Sequence, residues 1–392
     1  MTNISLFSQI ISKLDRNSFQ KLVSRHKTDK HQKGYNSWTH LISMLFCQFA
    51  KSQSVRDISN GLRSATGNLN HLGVSRAPSK SNISYQNKHR NWELFRDYYF
   101  ELANRLGQQA KFKQVRFKIK SKIFLLDSTT ISLCLSLFDW ARYKTAKGAI
   151  KMHTLLDFDG NLPAYINITD GKTPDNKGAK DIPLLRGSVI VADRFYNDFP
   201  LLHIWDSKGV FFVVRHKDNL QFTVKKENEL PEQRHQHILV DQIIELKNES
   251  SRQKYPNRLR RIAIWDDVNK QEIELITNQM KWAASTIAEL YKCRWQVEIF
   301  FREIKQLLHI KSFIGTSQNA VMIQIWTALI TILILKALKA MSKYKWHLSN
   351  LVAFIRLNLF VKIELQKWLD KPFHDPKPPP LSAGIQGVLF DY

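Results

Sequence analysis

An α/β protein, with helices ahead of a sheet-based core, is what this sequence predicts, and three observations carry the prediction. Residues 1–110 show helical periodicity and no strand pattern. From residue 111 the period drops to two: Arg116, Lys118, Lys120 and Lys122 alternate with Val115, Phe117, Ile119 and Ile123. Short continuous apolar runs come next, such as SVIVAD at 188–193, of the kind buried in the middle of a sheet, and helical segments lie between them.

The elements can be taken in order. Helix-like patterns cover about 4–24, 36–50, 53–63 and 91–106, joined by basic connections bearing Gly, Ser and Pro. The piece SQSVRDISNGLRSATGNLNHLG (52–73) reads as a helix–turn–helix: Ser54 caps a helix bearing Val55, Ile58 and Leu62, and Gly67 supplies a turn. A strand from 111 runs into Ile-Phe-Leu-Leu and stops at Asp127. Strands at 149–158 and 162–169 come after it, joined by the turn Asp159-Gly160-Asn161. Then come the 188–193 strand, a helix near 197–207 and a strand at 209–215. A strand-rich stretch (LQFTV, HILVDQII, LRRIAIW, EIELIT) fills about 216–280. A helix covers YKCRWQVEIFFREIKQLLHI (291–310), then the apolar run AVMIQIWTALITILIL (320–335) and a helical stretch to about Leu369. A proline-rich tail closes the sequence. The apolar run is shorter than the ~20 residues that span a bilayer, and Gln324, Thr327 and Thr331 interrupt it. It reads as a buried core helix, and no membrane is expected.

Composition bounds the function. Of 392 residues, 43% are hydrophobic and 11% aromatic, which excludes a disordered chain. Lys and Arg outnumber Asp and Glu 59 to 34, a formal charge of +25. An excess that large repels itself unless a polyanion is the partner, and nucleic acid is the commonest one. Cys47, Cys134 and Cys293 lie far apart, which gives neither a disulfide framework nor a zinc site and suits a reducing cytoplasm. The N-terminal stretch reads as an amphipathic helix without the continuous apolar core of a signal peptide.

Two acidic residues share a local setting. Asp127 ends IFLLD and Asp193 ends VIVAD, where an aspartate either caps the following turn or projects into a site at the sheet edge. A third carboxylate, Glu298, lies on the 291–310 helix. Counted at 100° per residue from Tyr291, Arg294, Glu298 and Lys305 fall at about 300°, 340° and 320°, so the four share an arc of about 60°. Val297, Phe300, Phe301, Ile304, Leu307 and Leu308 cluster on another arc near 220°. The polar row is equally compatible with a solvated flank and with a carboxylate set among phosphate contacts.

The row Tyr291-x2-Arg294-x3-Glu298-x6-Lys305 resembles the YREK signature of the insertion-sequence-four family of DDE transposases. LLDSTTISLCLSLFDWA, KGAIKMHTLLD, ITDGKTPD, VADRFY and AELYKCRWQVEIFF are similar to words of that family, and the likeness covers roughly 120–320. It implies an RNase H-like core over 111–345 carrying a β-rich insertion at about 216–280. Ahead of it lies an N-terminal helical domain, 1–110, for binding DNA ends; a C-terminal helical segment and tail occupy 346–392. The implied catalytic and metal-binding triad is Asp127, Asp193 and Glu298. Two Mg²⁺ ions, for which Mn²⁺ can substitute, would relieve the repulsion among these carboxylates and activate the attacking and leaving oxygens. Arg294 and Lys305 would hold phosphates, and Tyr291 would donate to a phosphate or stack on a displaced base. Arg194 and Tyr196 match the family's D-R-x-Y word as DNA contacts, and Lys151 and His153 share a strand face that suits DNA.

Asp175 is an alternative carboxylate, and Trp265 and Trp282 are candidates for stacking on a base. The implied activity is cut-and-paste transposition. The partners are double-stranded DNA, as terminal inverted repeats and target, and a second copy of the chain on the paired ends; the setting is a prokaryotic nucleoid. The alternatives are an RNase H-like nuclease or resolvase without strand transfer, or a catalytically inactive repressor derived from a transposase.

Overall fold

Local capping sets where the helices begin. In the computed structural model, which describes residues 3–65, 67–109, 117, 119–133, 140, 142–144, 147–216, 220–230, 237–307 and 313–373, six helices come first. They are α1 (Leu6–Ile11), α2 (Arg16–His26), α3 (Ser37–Ala50), α4 (Val55–Ser64), α5 (Lys80–His89) and α6 (Glu93–Gln108). The helical pattern over 4–24 divides in two because the Asp15 side chain accepts from the Ser18 N–H and restarts the helix as α2. Ser54 caps α4 as expected, in a reciprocal box with Asp57.

The helix–turn–helix expected over 52–73 is realised only in its first half. After α4 the chain passes through Gly67, at φ +75°, and a single 3₁₀ turn at Asn70–Leu72. The next α-helix is α5, which starts only at Lys80 and was expected to be a connection.

The sheet elements are β1 (Ile123–Leu133), β2 (Arg142–Lys144), β3 (Lys147–Asp157), β4 (Leu162–Asp170), β5 (Val189–Ala192) and β6 (Phe211–Arg215). β7 (Phe222–Glu227), β8 (Ile238–Leu246), β9 (Leu259–Asp266) and β10 (Gln271–Thr277) complete it. Helices α7 (Asp175–Gly178), α8 (Phe199–Ser207) and α9 (Glu249–Lys254) lie between strands. All ten strands form one mixed sheet in the order β2-β3-β1-β5-β6-β10-β9-β8-β7, with β4 also paired to β3. β1 runs antiparallel to β3 and parallel to β5, and β5 runs parallel to β6. The strand-rich 216–280 segment is thus continuous with the main sheet, because β10 pairs with β6.

The strand expected from 111 begins later. Residues 111–116 and 118 lie outside the described residues, and 119–122 precede the ladder. There Lys122 turns its ammonium to Asp157, at 2.9 Å, and Phe117 and Ile119 pack against the core as an irregular lead-in.

Alternation along the central strands builds a core on each face. Ile123, Leu125, Val189, Val191 and Val213 enter a large core, while Phe124, Leu126, Ile190, Ala192 and Val214 face α8 and its neighbours. The large core also takes in α10 (Ala284–Cys293), α11 (Trp295–Leu307), α12 (Gln318–Met341), α13 (Leu348–Leu357) and α14 (Leu365–Asp370), together with α1–α6. It runs without interruption from Leu6 to Leu369, so the boundaries expected near 110 and 345 are not the edges of separate cores. The Leu6 and Phe7 N–H groups even donate to the carbonyls of Val361 and Leu359.

Helix α12 lies at the centre of this packing. It is long and apolar enough to cross a membrane, yet 89% of its most apolar window is buried inside the protein. It packs against α3, α5 and α6. Its two interior threonines are satisfied locally: the Thr327 and Thr331 hydroxyls donate to carbonyls one turn back. The proline-rich tail lies outside the described residues.

One ion pair anchors the sheet extension. Arg260 on β9 donates from Nε and Nη2 to the Asp241 carboxylate on β8, at 2.8 and 2.6 Å, with both side chains buried. Asp241→Ala should cost roughly 3–5 kcal/mol, because it strands a buried guanidinium. Chemical denaturation checks this, and a loss below about 1 kcal/mol, as for a surface pair, would contradict it.

Candidate active site

The parallel register of β1 and β5 sets the first two carboxylates side by side. Leu126 pairs with Ala192, and the next residues are Asp127 and Asp193. β5 ends there, whereas β1 continues to Leu133 paired with β3 alone. Asp127 therefore does not terminate its strand, as the sequence suggested; it marks where β1 loses its β5 neighbour and its burial gives way to partial exposure. Asp193 does act as a cap: its carboxylate accepts from the Arg194 N–H at 2.5 Å and starts a 3₁₀ turn.

The third carboxylate comes from a helix that is not continuous. α10 ends at Cys293, Arg294 forms a tight turn, and α11 starts at Trp295. Arg294 keeps right-handed helical angles, so the expected polar stripe survives the interruption. Its guanidinium lies over the Tyr291 ring, 5.7 Å from the centroid. Nη1 pairs with Glu298 Oε1 at 2.7 Å and reaches Asp127 Oδ2 at 3.5 Å. Beside the stripe, Val297, Phe300, Phe301 and Ile304 are buried as expected. Leu308 lies outside the described residues, and the Leu307 side chain is not described. Lys305 lines a cleft of 380 Å³ together with Asp127, Ser128, Glu298 and Arg302. Arg302 was missed by the sequence reading, although its place one turn beyond Glu298 could have flagged it.

Electrostatics reflect this crowding. Burial first, and then the carboxylates of Asp193 and Glu298, push the Asp127 carboxyl up to about 7, against the pull of the Ser128 N–H and Arg294. Burial works against the Arg294 charge, yet Tyr291, Glu298, Asp127 and Asp193 outweigh it and hold the guanidinium above its usual value. Arg294 Nε is a buried donor with no acceptor among the described residues.

Beside the triad sits a second cluster. The Ser128 hydroxyl donates to Asp175 Oδ1, Lys151 Nζ stands 3.3 Å from the same oxygen, and His153 Nδ1 lies 3.8 Å from it. The His153 ring is closed over by Gly178, where a Cβ would come within 2.4 Å of it. Burial lowers the His153 pKa to about 4, with Asp175 opposing. Of the expected DNA contacts, Arg194 is exposed, but His153 and Tyr196 are 0% and 1% exposed. Neither offers a surface to a duplex: Gly178 of α7 closes over the imidazole, and the Tyr196 ring enters the core that contains α8. Tyr291, at 7% exposure beneath Arg294, has no open face for a displaced base. Trp282 packs on Phe211, and Trp265 is half-buried within β9.

The donor set fits a hard divalent cation, since it offers carboxylate oxygens and a buried Asp127 made costly by its like-charged neighbours. Among the described residues no three acidic, His or Cys side chains stand close enough to enclose one ion, and Glu298 is paired with Arg294. Asp127, Asp193 and Glu298 would hold the metal once Glu298 leaves that pairing.

The raised Asp127 carboxyl makes the metal-free protein sensitive to pH. Asp127 titrates in the ordinary carboxylate range when unfolded and near 7 when folded, so its contribution to stability is full below about pH 4 and is lost as pH rises through 7. Asp127→Asn should therefore gain stability over the parent at about pH 8, by on the order of 4 kcal/mol at most, and the gain should vanish towards about pH 4. Thermal denaturation across pH checks this; a difference that does not change with pH would count against the burial of Asp127.

Residues 118–334, more than half of the chain and including all three carboxylates, match the family described as Transposase DDE domain. Residues 2–75 match a domain family of unknown function (DUF4372). The protein named "Probable transposase for insertion sequence element IS5377" from Geobacillus stearothermophilus is 26% identical over 80% of this chain and 78% of its own. "Putative transposase y4zB" from Sinorhizobium fredii is 30% identical over 66% of this chain and 71% of its own. "Putative transposase for insertion sequence element IS4SA" from Synechocystis is 24% identical over 74% and 80%. With a carboxylate triad assembled from β1, β5 and α11 inside the matched region, the chain belongs to the transposase DDE domain family.

Proposed function

We propose that this protein is the transposase of an insertion sequence, of the YREK-bearing type. It binds the element's terminal inverted repeats as double-stranded DNA and carries out metal-dependent strand cleavage and strand transfer. The observation that carries the reading is that the β1–β5 register sets Asp127 and Asp193 side by side, while Arg294 bridges Asp127 to Glu298. The antiparallel β1–β3–β4 set beside parallel β5 and β6 supports an RNase H-like core. The charge of +25 supports a polyanionic partner. A second copy on the other DNA end, and a nucleoid setting, suit a reaction that joins two ends.

In this reading Asp127, Asp193 and Glu298 would hold two Mg²⁺ ions, with Mn²⁺ able to replace them. When bound, these ions supply the positive charge that activates the attacking water or 3′-hydroxyl and offsets charge on the leaving oxygen. Arg294, with a buried Nε still to be satisfied, forks onto a phosphate beside the scissile bond when Glu298 is released. Tyr291 holds the guanidinium flat from beneath. Lys305 and Arg302, on the cleft wall, hold the backbone on the α11 side, and exposed Arg194 holds it near β5. Asp175, Lys151 and His153 act as positioning groups: through Ser128 they fix the strand segment that carries Asp127.

Glu298→Gln should bind a duplex carrying the inverted repeat as the parent does, yet lose Mg²⁺-dependent nicking. The loss should exceed the ~10–100-fold typical of outer-sphere groups. Gel-shift and nicking assays on the same duplex check this; nicking at the parent rate would refute the assignment of Glu298.

A further inference from the structure

Helix α5 is held as a rigid mount yet presents most of its surface to solvent. Only Ile83 and Asn87 are buried and Gln86 half-buried. At 100° per residue these three occupy an arc of about 100°, leaving about 200° for Lys80, Ser81, Ser84, Tyr85, Lys88 and His89. All six are exposed, Tyr85 at 60%, its ring stacked on His89 with centroids 4.2 Å apart. This face bears no carboxylate. Across residues 51–90 the sequence holds seven Lys and Arg against a single acid, Asp57, and that acid is engaged by the N–H groups of Gln53 and Ser54 at the start of α4. A groove of 520 Å³ runs along the face, with Val55 of α4 on its far wall.

The mount is polar and specific. His40 Nε2 and Asn87 Oδ1 are bonded at 2.8 Å in the interior, and the Ser59 hydroxyl donates to the Pro78 carbonyl at the head of α5. Asn319 at the start of α12 donates to the carbonyls of Asn87 and Arg90 at its tail. Such a helix costs little to present and cannot reorient freely. An amphipathic helix serving only the core would bury a wider stripe and carry charges of both signs outside.

Resting on the DNA-binding function proposed above, we infer that α5 is the element that enters the major groove of the DNA end. Lys80 and Lys88 meet phosphates near either end of the helix, as point charges. Ser81, Ser84 and Tyr85 between them supply short hydroxyl donors and acceptors to base edges, and Val55 offers an apolar contact of the kind a thymine methyl accepts. The helix is compact enough for the wide groove of B-form DNA.

The test uses the full-length protein and three duplexes: one carrying the inverted repeat bordering the gene, one of unrelated sequence, and an RNA duplex of the repeat. Lys80→Glu with Lys88→Glu should weaken end binding at least about tenfold and lower the log–log salt slope by about two. Ser84→Ala with Tyr85→Ala should leave that slope in place and erase most of the preference for the repeat over unrelated DNA. A charge-matched control, Lys208→Glu with Lys254→Glu, should bind as the parent does, and melting curves confirm that all variants fold. If the parent binds the repeat and both α5 variants bind it unchanged, the assignment of α5 is overturned while the DNA-binding reading stands. Equal loss in the control, or equal parental binding to the RNA duplex, whose deep narrow groove excludes side chains, also overturns it. If the parent binds no DNA, the proposed function itself falls.

Discussion

Like charges gather in a protein interior only where something fixed opposes them. Here Asp127, buried beside Asp193 and within reach of Glu298, is opposed by one guanidinium, and Arg294 touches two of the three carboxylates. That side chain, together with the Ser128 N–H, offsets part of the cost of burying Asp127, and the Tyr291 ring lies beneath it. The arrangement is a resting one. On the proposed function, a divalent cation held by these carboxylates would draw Glu298 away from Arg294 and leave the guanidinium for an anion.

The same economy governs the larger architecture. A sheet of ten strands needs cover on both faces. One face receives α8 and its neighbours; the other receives α10, α11 and α6, with α12 packed behind them, a helix apolar enough to stand among lipids yet enclosed by α3, α5, α6 and α13. Burial of its large apolar side chains, at about 1.5–3 kcal/mol each, joins the first hundred residues and the last thirty described ones into one core. The β7–β10 extension is likewise continuous with the sheet, its buried pair Arg260–Asp241 fixing the register of β8 on β9.

Much of the site was legible because its signals are local. The Tyr291–Arg294–Glu298–Lys305 row needs only helical period, and it survives the turn at Arg294 because one residue of tighter winding barely rotates the face. The apolar runs ahead of Asp127 and Asp193 needed only strand burial. The illegible parts depend on long-range packing. Tyr196 and His153 have the composition of DNA contacts, and only the closing of α7, with Gly178 against the imidazole, shows that they are interior. Asp175 reads in the sequence only as an alternative carboxylate, because nothing in its neighbourhood reveals that β1 places Ser128 against it. Helix α5 was missed because its buried stripe is two residues wide, too narrow to register as periodicity, and because the flanking Pro and Gly read as a loop.

The two bonds from Asn319 to the tail of α5 have a mechanical meaning. They tie a solvent-facing helix to the first turn of α12, whose own sides abut the helices that carry and brace the carboxylates. The span between that helix and Asp127 is therefore set by packed side chains rather than by a tether of variable length. On the proposed function, a duplex gripped by α5 would be presented to the cleft at a fixed number of base pairs from the grip, and the stiffness of the protein would measure out the place of scission.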